Sequence, residues 1–159
     1  INGLTDADLQ EARNLLCDPG ISVVQDALTA YEAGGVNAMH DPTEGGVATG
    51  ILEMAQAARV GVAIRTTAIP ILPACKKICQ TLRLNPLGLL ASGSLLLSVS
   101  PRGVEGVRQA LSQAAIPVTE IGRVTNASEG TKLLTAHGHM PIPRFDRDEF
   151  ARFLTESPS

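Results

Sequence analysis

Six consecutive residues, Asp41-Pro42-Thr43-Glu44-Gly45-Gly46, bring together two carboxylates, a hydroxyl and a pair of glycines. Glycine just inside a helix start lets another group approach the backbone closely. The first turn of a helix also carries unpaired N–H groups and the positive end of the helix dipole. Together these features make a seat for a phosphate or a carboxylate. The four residues ahead of the glycines already read as a complete helix start, with Asp41 as N-cap, Pro42 at the first helical position and Glu44 at the third. Two glycines directly afterwards each cost about 1 kcal/mol relative to alanine, so they answer to something other than helix stability. Either they clear space for an anion or another domain, or they let the helix pack closely on a strand. There is no Walker lysine and no spaced G-x-G-x-x-G, so the loop is neither a P-loop nor a dinucleotide fingerprint.

Other groups could join this chemistry. His40 directly precedes the loop, and is either a phosphate contact or acid–base group, or a strand-end histidine bonded to backbone. Glu44 is either the capping partner of Asp41 or a cleft carboxylate. Ser92-Gly93-Ser94, ahead of an apolar run, is a second candidate cleft loop or a plain turn. The candidate ligand-binding set is therefore His40, Asp41, Thr43, Glu44, Gly45, Gly46, Ser92 and Gly93, with no catalytic residue assigned. Cys75 and Cys79 stand one helical turn apart and make at most half a metal site, so a structural role is expected. His137 and His139 flank Gly138 in an H-x-H arrangement that reads as a solvated loop. Glu53 and Arg59 read as a solvated helix face and a dipole partner. No metal site is expected.

The elements that must position these residues follow from periodicity and punctuation. Thr5-Asp6-Ala7-Asp8 opens a helix running to about Cys17 and stopped by Pro19-Gly20. A second helix starts at Ser22 and ends at Gly34-Gly35. Residues 36–40 form a strand, and Val47, Ile51, Met54, Ala55 and Ala58 stripe one helix face up to Gly61. Then come a strand at 62–64, an extended connector at 69–73, a helix at 74–83, a turn at Asn85-Pro86, a strand at 95–99 and a helix at 104–115. A strand at 117–124, a polar turn at 125–130 and a strand at 131–136 read as a hairpin. Pro141 and Pro143 argue against a central strand beyond it, and the tail carries one short helix. Interleaved helices and strands give an α/β (α+β) class, and the closing antiparallel pair makes the sheet mixed.

Composition limits the partners. The 159 residues make one domain, and 44% hydrophobic content supports a real core. With no Trp, one Tyr and three Phe, an aromatic platform for stacking bases is missing. A net charge of −3 without a basic run argues against nucleic acid. No stretch reaches the roughly 18 apolar residues of a membrane span. Three cysteines suit a reducing, cytoplasmic setting. The opening Ile1-Asn2-Gly3-Leu4 is neither an initiator methionine nor a signal peptide, and reads as a piece of something longer.

The stretches MHDPTEGGVATGILEMAQAARVGVAI, IPILPACKKICQTLRLNPLGLLASGSLLLSV and IGRV closely resemble the C-terminal domain of the AIR synthase (PurM-like) superfamily. Within it they look nearest to the hydrogenase-maturation branch typified by HypE and to AIR-synthase-related proteins. The similarity runs from about Leu4 to about Ala136. AIR synthase itself typically has a T-G-G-G run at this loop, and selenophosphate synthetase a D-V-T-G-F-G type run.

The resemblance implies a layered α/β/α domain with a mixed sheet. It would be the substrate-side half of a two-domain enzyme that activates a substrate oxygen by phosphorylation. The resemblance places most of the ATP and magnesium ligands, and the main homodimer interface, in an N-terminal ATP-binding domain that this chain lacks. It also turns the loop at 41–46 toward the cleft. The single domain then has a core at about 4–140 and a tail at 141–159. Neither ATP nor magnesium is expected on this chain alone, and the substrate would be a small or carbamoyl-type molecule. The alternative is a non-catalytic module that binds protein or dimerises. The chain departs from the branch twice. Pro143-Arg144 is followed by Phe145-Asp146 rather than by the Pro-Arg-x-Cys end that carries the converted group, the chain closing on Ser157-Pro158-Ser159. Ala91-Ser92-Gly93 stands where Asn-Glu-Gly is usual.

Overall fold

The computed structural model describes residues 3–156, so the readings that concern Ile1, Asn2 and 157–159 lie outside the described residues. Helix α1 (Asp6–Asn14) begins where Thr5 and Asp8 close a capping box. The Thr5 hydroxyl accepts the Asp8 N–H at 3.2 Å, and the Asp8 carboxylate accepts the Thr5 N–H at 2.7 Å. The helix stops earlier than Cys17. Leu16–Gly20 forms one irregular turn with Asp18 extended and a cis Asp18–Pro19 peptide. Helix α2 (Val24–Ala33) ends at Gly34, which has φ of +81°. Strand β1 covers Val36–His40.

Helix α3 (Gly46–Ala58) leads through Arg59 into β2 (Gly61–Arg65). A 3-10 turn and an extended connector reach α4 (Pro73–Leu82), which has proline in its first turn. Lys77 on α4 donates to Asp8 on α1 at 2.6 Å, and with the Thr5 bonds this holds the Asp8 carboxyl down at about 2. Next come a 3-10 turn at Pro86–Gly88, β3 (Leu96–Val99) and α5 (Val104–Gln113). The chain closes with β4 (Gly122–Thr125), β5 (Thr131–Thr135), β6 (Gly138–Pro141) and α6 (Glu149–Glu156).

Two sheets result. Strands β1 and β3 form an antiparallel pair, and the other four run in the order β4-β2-β5-β6. The larger sheet is mixed, because β2 pairs antiparallel with β4 but parallel with β5. The expected hairpin between β4 and β5 does not form; β2 lies between them. Gly61 shows why. A Cβ there would stand 2.5 Å from Thr125 Oγ1 and 2.8 Å from the Gly130 carbonyl, and the Val62 N–H donates to that carbonyl at 3.0 Å. The turn at 125–130 thus wraps the end of β2 and delivers β5 to its far side. The expected strand at 117–124 shrinks to four paired residues. Strand β6 is an edge strand closed by Pro141, where a missing N–H costs no ladder bond.

Helix α3 lays Ala48, Ile51 and Ala55 on Val62, Ile64 and Leu133 of the larger sheet, with Ile142 closing the layer. A second core joins Ala30 of α2 to Val107 and Leu111 of α5 over β1 and β3. His40 is the last residue of β1 and Gly46 the first of α3, so the loop between them lies where the two cores meet.

Candidate functional site

Helix α3 does not start at Asp41. Its N-cap is Gly45, in the left-handed region with φ of +74°, and Gly46 follows with φ of +66°. The capping roles expected of Asp41, Pro42 and Glu44 are therefore absent. Pro42 is instead fully buried, and a Cβ on Gly50 would come within 2.8 Å of its Cβ. Burying Pro42 under α3 forces the chain to reverse sharply before the helix, and two successive positive φ values provide that reversal. Gly46 is also a contact point. A Cβ on it would stand 2.5 Å from the carbonyl oxygens of both Leu87 and Leu89. Close packing thus accounts for Gly46, against the loop at 87–89, while Gly50 makes the close approach to the strand end.

The N–H groups at the start of α3 are partly engaged. Gly46 donates to the Thr43 carbonyl at 3.1 Å, and Gly45 donates to Asp148 Oδ2 at 3.2 Å. A carboxylate of the chain's own tail thus takes up part of this helix start. Two neighbours fix that tail. The ring of Phe145 covers Gly88, and buried Glu149 accepts the Asn85 N–H at 2.8 Å while pairing with Arg152 at 2.8 Å. Arg152, and to a lesser degree the Asn85 N–H, hold the Glu149 carboxyl below its ordinary range.

The two candidate loops meet. Ala91 donates its N–H to the Thr43 carbonyl at 3.3 Å, which sets Ser92 and Gly93 beside residues 41–46. Asp41, Thr43, Glu44 and Ser92 are exposed, and their side chains make no hydrogen bond among the described residues. Gly93, with φ of +91°, packs on the backbone of Gly20 and Ile21. The His40 Nε2 lies 2.7 Å from Glu53 Oε2, so the partner of this strand-end histidine is a side chain rather than the backbone. Glu53 was readable only as a solvated helix residue, because nothing in the spacing of 40 and 53 marks them as neighbours. Asp148 carried no sequence signal either.

The remaining candidates stand apart. Cys75 and Cys79 lie with their sulfurs 3.9 Å apart, and burial first, then Cys75, pushes the Cys79 thiol up to about 12. His137 and His139 are exposed around the β5–β6 turn. Among the described residues no group of three or more His, Cys, Asp or Glu side chains comes together as a metal site. No described helix is long and apolar enough to cross a membrane. A row of exposed apolar side chains, Val24, Leu28 and Tyr31, follows the outer face of α2, and Leu16 and Ile21 are exposed just before it. Ile21 brings this region to Gly93.

A mixed sheet packed by α3, with a glycine turn tied to a second loop, defines a known class. The chain belongs to the family of AIR synthase related proteins, C-terminal domain, which matches residues 6–133. Its relatives include the carbamoyl dehydratase HypE of Rhizobium leguminosarum bv. viciae, 40% identical over 81 residues that cover 50% of this chain and 23% of that protein. The crystal structure of Escherichia coli HypE, a hydrogenase maturation protein, superposes with a TM-score of 0.73 at 27% identity, covering 82% of this chain and 42% of that one. The fold is shared also with a HypE in complex with ATP, at a TM-score of 0.72 and 24% identity, covering 92% of this chain and 48% of the other. The chain thus spans less than half the length of these proteins.

Proposed function

We infer that this chain is the substrate-side half of an ATP-dependent, HypE-like enzyme that activates a substrate oxygen by phosphoryl transfer. The observation that carries the reading is the Ala91–Thr43 hydrogen bond, which sets the loop of Ser92 beside the loop of Asp41, Thr43 and Glu44 on a shared surface face, the four residues exposed and their side chains without a hydrogen bond among the described residues. Such a face suits a small polar substrate, carbamoyl-type or similar, held between two domains. Asp41 and Glu44 would accept hydrogen bonds from the substrate, Thr43 and Ser92 would orient it, and His40, steadied by Glu53, stands at the rim.

This chain's own residues do not fit a nucleotide and its metal. No carboxylate cluster suited to magnesium forms among the described residues, and the Gly45 N–H is already paired with Asp148. ATP and magnesium are therefore assigned to an N-terminal half of the same polypeptide. That half would supply the activating phosphoryl group, and a homodimer would form through it.

The alternative, a protein-binding or dimerising module without catalysis, draws on the exposed row along α2. One experiment separates the two. ATP turnover is measured for the 159-residue chain and for the parent polypeptide with both halves. The chain alone should hydrolyse no ATP. In the parent, Asp41→Asn combined with Glu44→Gln should lower turnover at least about tenfold. Hydrolysis by the chain alone, or an unaffected double variant, overturns the enzymatic reading.

A further inference from the structure

A cleft of about 460 Å³ opens between α4 and the connector that precedes it. It shares no residue with the loops at 41–46 and 91–94, so it stands or falls independently of the function inferred above. Its floor is apolar, made by Cys79 and Leu84, both buried. Ile69 and Ile71 form one wall. Polar groups gather around the opening: the Thr67 hydroxyl, the Lys76 ammonium and the Gln80 carboxamide. None of these three has a hydrogen-bond or ionic partner among the described residues, whereas neighbouring Lys77 is committed to Asp8 and Thr66 to the Leu134 carbonyl. Volume in the range of small-molecule sites, an apolar interior and a few convergent polar groups are what a ligand pocket requires.

The chemistry selects the ligand. Among the described residues Lys76 is the one cation lining the cleft, and no carboxylate lines it. Thr67 and Gln80 add hydrogen-bond donors on the same rim. Below that rim lie the buried Leu84 side chain and the Cys79 thiol. We propose that this cleft binds a small amphiphilic anion, its carboxylate on Lys76, Thr67 and Gln80 and its aliphatic body against Ile69, Ile71 and Leu84. Inorganic phosphate, which has charge but no apolar body, satisfies only the rim.

The test uses the 159-residue chain with hexanoate, hexanol and inorganic phosphate as probes, followed by methyl and amide NMR shifts. Hexanoate should shift the methyl signals of Ile69, Ile71 and Leu84 together, with saturable binding. Hexanol should bind about tenfold more weakly, as should hexanoate to Lys76→Gln, because each loses a charge-assisted hydrogen bond. Gln80→Phe, which fills an exposed edge of the cleft without touching its floor, should abolish the shifts while leaving the amide spectrum otherwise intact. The proposal is overturned if hexanoate shifts these methyls no more than it shifts exposed Leu28 and Leu154. It is equally overturned if Lys76→Gln binds as well as the parent chain, or if phosphate binds and hexanoate does not.

Discussion

Gly46 and Gly106 put the same residue to opposite uses. At Gly46 the backbone has φ of +66°, and a methyl group would meet two carbonyl oxygens at 2.5 Å. Gly46→Ala should therefore lower stability by about 3 kcal/mol, combining backbone strain with a contact that cannot relax. Gly106 sits inside α5 with only the Ala33 carbonyl at 3.8 Å, an ordinary contact distance. Gly106→Ala should raise stability by about 0.5–1 kcal/mol through helix propensity and a less flexible unfolded chain. Urea unfolding of the two variants checks both signs. The sequence announced a constraint at Gly45 and Gly46, but not its source. The carbonyls of Leu87 and Leu89 arrive from a distant loop, and Asp148 from the tail. The pairing of His40 with Glu53 escaped notice for the same reason, since only the fold makes them neighbours.

At the scale of elements, the tail helix α6 depends on one buried carboxylate. Glu149 accepts from the Asn85 N–H and pairs with Arg152, so Glu149→Gln should cost about 2 kcal/mol at neutral pH. Its carboxyl titrates below the ordinary value of 4.5 in the folded chain, chiefly because of Arg152. The unfolded chain therefore takes up the proton first on acidification. The associated stability is present above about pH 4.5 and is lost as pH falls through that value toward the lower folded one. The urea midpoint should drop across this interval, and Glu149→Gln should remove that part of the drop. Helices with clean stripes or caps were legible in the sequence, α1 and α3 among them, and β1 was placed to the residue. The start of α3 was misplaced because Asp-Pro-x-Glu serves equally as a cap and as a buried turn. The β4–β5 hairpin was misread because a six-residue polar turn looks the same whether its strands are adjacent or separated by a third.

At the scale of the whole molecule, the fold and family were legible because the glycine loop and the Asn-Pro-Leu-Gly block occur together in a defined order. The composition could not reveal which apolar side chains stay outside. Val24, Leu28 and Tyr31 follow helical spacing, as a core-facing stripe would, yet all three are exposed. An exposed row of this kind on a surface usually marks an interface. The chain should accordingly self-associate as its concentration rises, and Leu28→Glu should shift it toward monomer without changing helix content. Light scattering across a concentration series, with circular dichroism as the control, reads the outcome. A chain that stays monomeric throughout, with or without the charge, would assign no association to this face.

The placement of β2 between β4 and β5 has a consequence for the newborn chain. Strand β2 is made early, but its parallel partner begins only at Thr131. At roughly 5–20 residues per second, the ribosome leaves that edge of β2 bare for several seconds. Val62 and Ile64, buried in the finished sheet, lie on the strand whose edge is left open. Such an edge invites pairing with another chain, and the pairing it awaits closes a long loop and is intrinsically slow. The arrangement that wraps the turn at 125–130 around β2 thus makes the interval before β5 emerges the period of greatest exposure to aggregation, and the one in which a chaperone would contribute most to yield.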